Sequence, residues 1–240
     1  MSKPPKELRQ LWPDLARGDE RAVHEVRKLS RKVGARLKVA GAPKSVRHAW
    51  RDLRRAIAPV RDRDAVLPHL VEGLQALGAG PEEVESFRAE WLAERARQFR
   101  AVALPDPPPD AKLDVDLEKR AKKRLEGDLD RVREDAVKVL VSNEPETWHA
   151  WRKDLKALRH TLELVGEVPP ALTDLLTALG RLQDSEVTRA LLGERAWTRF
   201  DAPLREREEA AAEEAKRAAR EAWARLEPEL DQVPGVRPGR

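Results

Sequence analysis

The chain has 240 residues, with 47 Lys and Arg against 43 Asp and Glu for a formal net charge of +4, and it contains seven Trp but no Tyr and no Cys. Without Cys, disulfides, thiolate metal sites and cysteine nucleophiles are excluded. No run of about 18 apolar residues argues for a membrane span, and "MSKPPKELRQ" lacks the apolar stretch of a signal peptide, so a cytoplasmic protein is expected.

Leu, Ala and Val dominate the apolar set and Gly is scarce, which favours an all-α fold over a sheet. Residues 5–17 read as a short lead-in helix interrupted by Pro13 and closed near Gly18. A strong helix is predicted from about Glu20 to Ala40, with Val26, Leu29, Val33, Leu37 and Ala40 on its apolar side, ended by "GAP" at 41–43. A second, Lys44 to Ala58, turns Val46, Ala49, Trp50, Leu53 and Ile57 inward and is broken at Pro59. The third follows, with Asp62 or Asp64 placed as an N-cap or first-turn acid. Pro81 opens a fourth.

"PDPPPD" at 105–110 cannot continue a helix and reads as a linker. Beyond it helices are expected over about Lys112 to Val141, with Leu117, Ala121, Leu125, Leu129, Val132, Ala136 and Val139 at core spacing, then Pro145 to Val165, Pro170 to Leu192 and Ala202 to Leu230. The resulting organisation is a lead-in (1–19), four helices (20–104), the linker (105–110), four more helices (111–230) and a disordered tail (231–240).

The charge is regional. From Arg21 to Arg61 there are 13 Lys and Arg against two acids, Glu25 and Asp52, a local net of +11 that leaves −7 for the rest of the chain. Exposed helices ordinarily interleave both signs, because opposite charges at i,i+4 support the helix and like charges oppose it. A field this concentrated implies an anionic partner, whether nucleic acid, a phosphate polymer or an acidic protein.

The basic pattern occurs twice. "VHEVRKLSRKV" at 23–33 matches "WHAWRKDLKAL" at 148–158, both reading H-x-x-R-K-x-x-[RK]. Downstream, "APVRDRDAVL" at 58–67 echoes "LGRLQDSEVT" at 179–188, pairing Arg61 with Arg181 and Asp64 with Asp184. The His-to-Asp interval is 40 residues in the first copy and 35 in the second, the order expected of a duplication. In the second copy the basic side carries His149, Arg152, Lys153, Lys156, Arg159 and His160, with Trp151, Leu155, Leu158 and Leu162 opposite.

These blocks, "VHEVRKLSRK" with "WRDLRRAIAPVRDRDAVL" and "WHAWRKDLKALRHTLEL" with "LLTALGRLQDSEVTRALL", resemble the CHAD family, the conserved histidine α-helical domain, over roughly residues 20–230. The resemblance implies two pseudo-symmetric four-helix bundles with a basic cleft or pore between them. It also implies a non-catalytic protein that binds inorganic polyphosphate, with granule association as its expected setting. The family's basic motif maps onto His24, Arg27, Lys28, Arg31 and Lys32, and onto His149, Arg152, Lys153, Lys156 and Arg159. Lys38, Arg51, Arg54 and Arg55 complete the expected polyphosphate-binding set. Where many members carry Tyr this chain has His160, and Lys156 stands where the first copy has Arg31.

Polyphosphate presents about one negative charge per unit and only oxygen acceptors, so its receptor is an array of Arg forks, Lys point charges and His that gains a proton as pH falls. Helical spacing lays such groups along a line. The ordinary alternative, a solvated helix face, fits poorly with duplication and missing acids. The histidines read equally as packing residues. Asp62, Asp64 and Asp184 suit caps that orient Arg61, Arg63 and Arg181 better than they suit a Mg²⁺ site. No Walker-type loop, His-rich metal cluster or Ser/His/Asp spacing is present, so neither catalysis nor a cofactor is expected. Nucleic acid is the weaker alternative partner, since only Trp148 and Trp151 flank a basic motif as platforms for bases. "REREEAAAEEAKRAAREAWARLEPEL" offers a mixed-charge face to an acidic protein, or is simply the last bundle helix. Oligomeric state is open.

Overall fold

The computed structural model describes residues 3–110 and 113–232. Among them the fold is all-α, with nine helices and no strand: α1 Lys6–Ala16, α2 Glu20–Val39, α3 Lys44–Ala56, α4 Ala58–Ala76, α5 Pro81–Arg100, α6 Leu117–Val139, α7 Pro145–Val165, α8 Pro170–Leu192 and α9 Asp201–Leu230. Local chemistry sets several boundaries. The Asp19 carboxylate accepts the Ala22 N–H at 2.8 Å to cap α2, which ends at Ala40 before Gly41 takes a φ of 63°. Asp116 caps α6 in the same way through the Lys119 N–H. Proline stands at the first position of α5, α7 and α8, where its missing N–H costs nothing.

Three details depart from the sequence expectation. Pro13 lies inside α1 without interrupting it, because Leu8 and Leu15 are fully buried and hold both ends of the helix to the core. The helix expected from about Lys112 begins at Leu117, which is half-buried; residues 111 and 112 lie outside the described residues. Segment 105–110 has no helix but is pinned at its end, with Pro108 buried, the Pro109 carbonyl accepting from Trp50 Nε1 at 3.3 Å and the Asp110 N–H donating to the Lys3 carbonyl at 2.9 Å.

The chain divides into two compact units. The first takes in the described residues up to Asp114 together with Val187–Arg207, and the second takes in Val115–Glu186 and the described residues from Glu208 onward. Chain order therefore does not define the units. Val187–Arg207, grouped by sequence with the second half, supplies Leu192, Trp197 and Leu204 to the apolar cluster of Val66, Leu70, Leu74, Val84, Phe87 and Trp91. Nor does the N-terminal helix stand apart, since Leu8 and Leu15 share a core with Val23, Val26, Leu37, Trp50, Leu53 and Ile57. In the second unit Leu129, Trp148, Trp151, Leu155, Leu158, Leu162 and Trp223 lie in one core. Of the expected tail, Asp231 pairs with Arg133 at 2.6 Å, and residues 233–240 lie outside the described residues.

Candidate anion-binding site

In the first unit the basic residues are set by two packed helices. α2 buries Val23, Val26, Leu29 and Leu37, which leaves His24, Lys28, Arg31, Lys32 and Lys38 exposed and Arg27 half-buried at the edge. α3 buries Trp50 and Leu53, turning Arg55 to solvent with Arg51 and Arg54 partly covered. The Arg54 guanidinium lies across α2 where Gly34 has no side chain, with Nη1 3.5 Å from the position a Cβ would take. At that separation a Cβ would be in ordinary van der Waals contact with the guanidinium.

The cations act on one another. Arg54 is pushed below the ordinary arginine value by burial first, then by the like charges of Arg55 and Arg51. Arg27 is lowered by burial, partly restored by Asp62, and lowered again by Arg61 and Arg54. Arginine stays charged through shifts of this kind, so the repulsion is carried in the folded protein. Arg54 and Arg61 thus both act on Arg27, drawing α2, α3 and the first turn of α4 into one positive cluster. Arg61, expected only as a partner for Asp, belongs to it.

The aspartates do not cap helix ends as expected. Because α4 begins at Ala58, Asp62 and Asp64 lie inside the helix and cap nothing. Asp62 reaches Arg27 at 3.5 Å, and Asp64 takes a two-point grip from Arg95 at 2.6 and 3.0 Å while Arg95 also donates to the Gly18 carbonyl at 2.6 Å. Arg63 is no ligand at all, being fully buried and paired with Glu194. Asp184 lies within α8, away from either end. Among the described residues no cluster of three or more metal-ligating side chains occurs, and no helix is long and apolar enough to cross a membrane.

The second copy is built differently. α7 turns Trp148, Trp151, Leu155, Leu158 and Leu162 inward, leaving Lys153 and Arg159 exposed and His149, Arg152 and Lys156 half-buried. Arg152 repeats the glycine relationship, its Nη2 lying 3.4 Å from where a Cβ on Gly180 would stand. Both glycines were legible as isolated helix-interior glycines but were not singled out. Acids intervene here, however. Arg159 Nε donates to Glu163 at 2.9 Å, His160 meets the same carboxylate at 3.0 Å, and Arg181 donates to buried Glu208 at 2.8 Å and to Ser185 at 2.7 Å.

His149 has a defined partner within the second unit. Its Nδ1 meets the side-chain oxygen of Gln183. Burial depresses its pKa, the Gln183 contact opposes that, and Lys153, Arg152 and Lys156 lower it further. A histidine whose folded pKa lies below its unfolded value contributes stability that is complete above the unfolded value of about 6.5 and is lost as pH falls through it. Acidification from pH 7 to 5 should therefore destabilise the wild type more than His149→Gln, as read by urea unfolding at the two pH values.

Tryptophan is withheld from the basic faces. Trp148 and Trp151 are buried and satisfy their indole N–H groups on the carbonyls of Ser142 and Val132, at 2.9 and 3.0 Å. Trp50, Trp91, Trp197 and Trp223 are buried as well.

The family model described as CHAD domain matches residues 6–193, so it begins at α1 and ends just past α8. No curated protein matches the chain. Among solved structures the chain is similar to PptA from Streptomyces chartreusis, at 19% identity and a TM-score of 0.64, over 91% of this chain and 94% of that one. At that identity the likeness concerns the fold. With the family model spanning well over half of its residues, both basic motifs among them, this chain belongs to the CHAD domain family.

Proposed function

We propose that the protein binds inorganic polyphosphate without catalysis or a cofactor, through the Arg, Lys and His side chains of α2, α3 and α7, and that it serves to associate with polyphosphate granules. The observation that carries this reading is the cluster of Arg27, Arg51, Arg54, Arg55 and Arg61, like charges kept together by helix packing and partly withdrawn from water. Such a cluster raises the energy of the free protein, and a linear polyanion lowers it again at every arginine it touches. Membership of the CHAD family supports the same ligand.

Buried tryptophans favour a polymer without bases. Single-strand binders gain about 1–3 kcal/mol per base from exposed aromatic platforms, whereas six of the seven Trp here are buried and Trp12 packs against the first core. In competition, single-stranded RNA at equal phosphate concentration should displace bound polyphosphate with an affinity at least about tenfold weaker. Equal displacement would transfer the reading to nucleic acid.

A further inference from the structure

Resting on that reading, we propose that the two copies of the basic motif are unequal and that the polyanion is held chiefly by the α2–α3 surface, centred on Arg54. The second copy is a charge-compensated face whose main work is to pack the second unit.

Charge first separates the copies. Residues 20–56, which form α2 and α3, carry 12 Lys and Arg against three acids, a net of +9. Residues 145–186, which form α7 and α8 up to the unit boundary, carry five against seven, a net of −2. The helix after the motif accounts for most of the difference, since α3 contributes Lys44, Arg47, Arg51, Arg54 and Arg55 against Asp52 alone, while α8 within the second unit has Arg181 against Asp174, Asp184 and Glu186.

Geometry extends the contrast. On α2–α3 the groups acting on Arg54 are burial and other arginines, while Arg27 meets Asp62 at 3.5 Å and Arg51 meets its chain neighbour Asp52 at 3.1 Å. In the second unit the motif's last arginine is held at 2.9 Å by Glu163, His160 leans on the same carboxylate, and Arg181 is tied to a buried glutamate. His149 is held toward its neutral form, while its counterpart His24 is exposed. An anion approaching the second copy must compete with carboxylates already in place; at the first copy it relieves repulsion.

Equal charge removals in the full chain test this. Long-chain polyphosphate is titrated into R51Q/R54Q/R55Q and into R152Q/K153Q/K156Q, each checked for wild-type helical content and cooperative unfolding. The first variant should lose about 50-fold in affinity, and its slope of log affinity against log salt should flatten by two to three units, whereas the second should lose only about fivefold. Should Arg54 prove necessary for folding, R51Q/R55Q should still cost about tenfold. Equal losses in the two triple variants, or a first variant within about threefold of wild type, would overturn the inequality while leaving polyphosphate binding in place. A wild-type protein that fails to bind polyphosphate would overturn both readings together.

Discussion

Changing Arg27, Arg31, Arg152 and Lys156 together to alanine should abolish polyphosphate binding, with a loss on the order of a thousandfold, while the helical content of the protein is retained. Hydrogen bonds to charged groups contribute about 1.5–3 kcal/mol each, so losing about 2 kcal/mol at each of Arg27 and Arg31, with a smaller share from Arg152 and Lys156, already gives that factor. Helicity should survive because none of the four is buried and alanine is the best helix former. If the α2–α3 surface dominates, most of the loss comes from Arg27 and Arg31. Full-strength binding by the folded quadruple variant would sink the assignment of these helices as the site.

Arg63→Ala should cost about 3 kcal/mol of stability, whereas Arg63→Met should lie within about 1 kcal/mol of wild type. The Arg63 side chain is 0% exposed, its guanidinium carbon lies 5.1 and 5.5 Å from the ring centroids of Trp91 and Trp197, and Nη2 is paired with Glu194. Its Nε and Nη1 are buried with no hydrogen-bond partner among the described residues. The cation therefore gains from two indole faces and one carboxylate, while the desolvation of two further N–H groups offsets that gain. Truncation to alanine opens a cavity beside the two packed indoles and strips Glu194 of its partner. Methionine fills much of the volume with a soft side chain suited to aromatic contacts, and Glu194, nearly half exposed, turns to water. Urea unfolding separates the cases; if methionine is as damaging as alanine, the charge and not the volume holds this core. Neither change should move polyphosphate affinity, since Arg63 does not reach the surface.

What could be read from sequence divides along physical lines. Helices α7 and α8 begin at Pro145 and Pro170 as expected, because proline at the first helical position is a local signal. The start of α6 lies later than the expected Lys112 because "KLDVDLEKR" has no proline and offers Asp114 and Asp116 as equivalent caps, of which the fold uses Asp116. Periodicity finds the buried face of a helix but not the neighbour that covers it, so nothing local to Val187–Arg207 shows that Trp197 and Leu204 share a core with Trp91 and Leu74 in the first unit.

The candidate site follows the same rule. The positive faces of α2 and α7 were visible because they lie in short runs of sequence. The partners of Asp62 and Asp64, Arg27 and Arg95, are 35 and 31 positions away, and no local spacing pointed to them. Neither could sequence show that Glu208 reaches Arg181, or that Arg54 rests over Gly34. Arg159 with Glu163, by contrast, is legible as an i,i+4 pair.

Calorimetric titration of the full chain with long-chain polyphosphate at two salt concentrations decides whether this fold presents a polyelectrolyte grip for polyphosphate. Such a grip should bind tightly and weaken at least about tenfold between roughly 50 and 200 mM salt, as released counterions require. Absence of binding, or binding indifferent to salt, would contradict it.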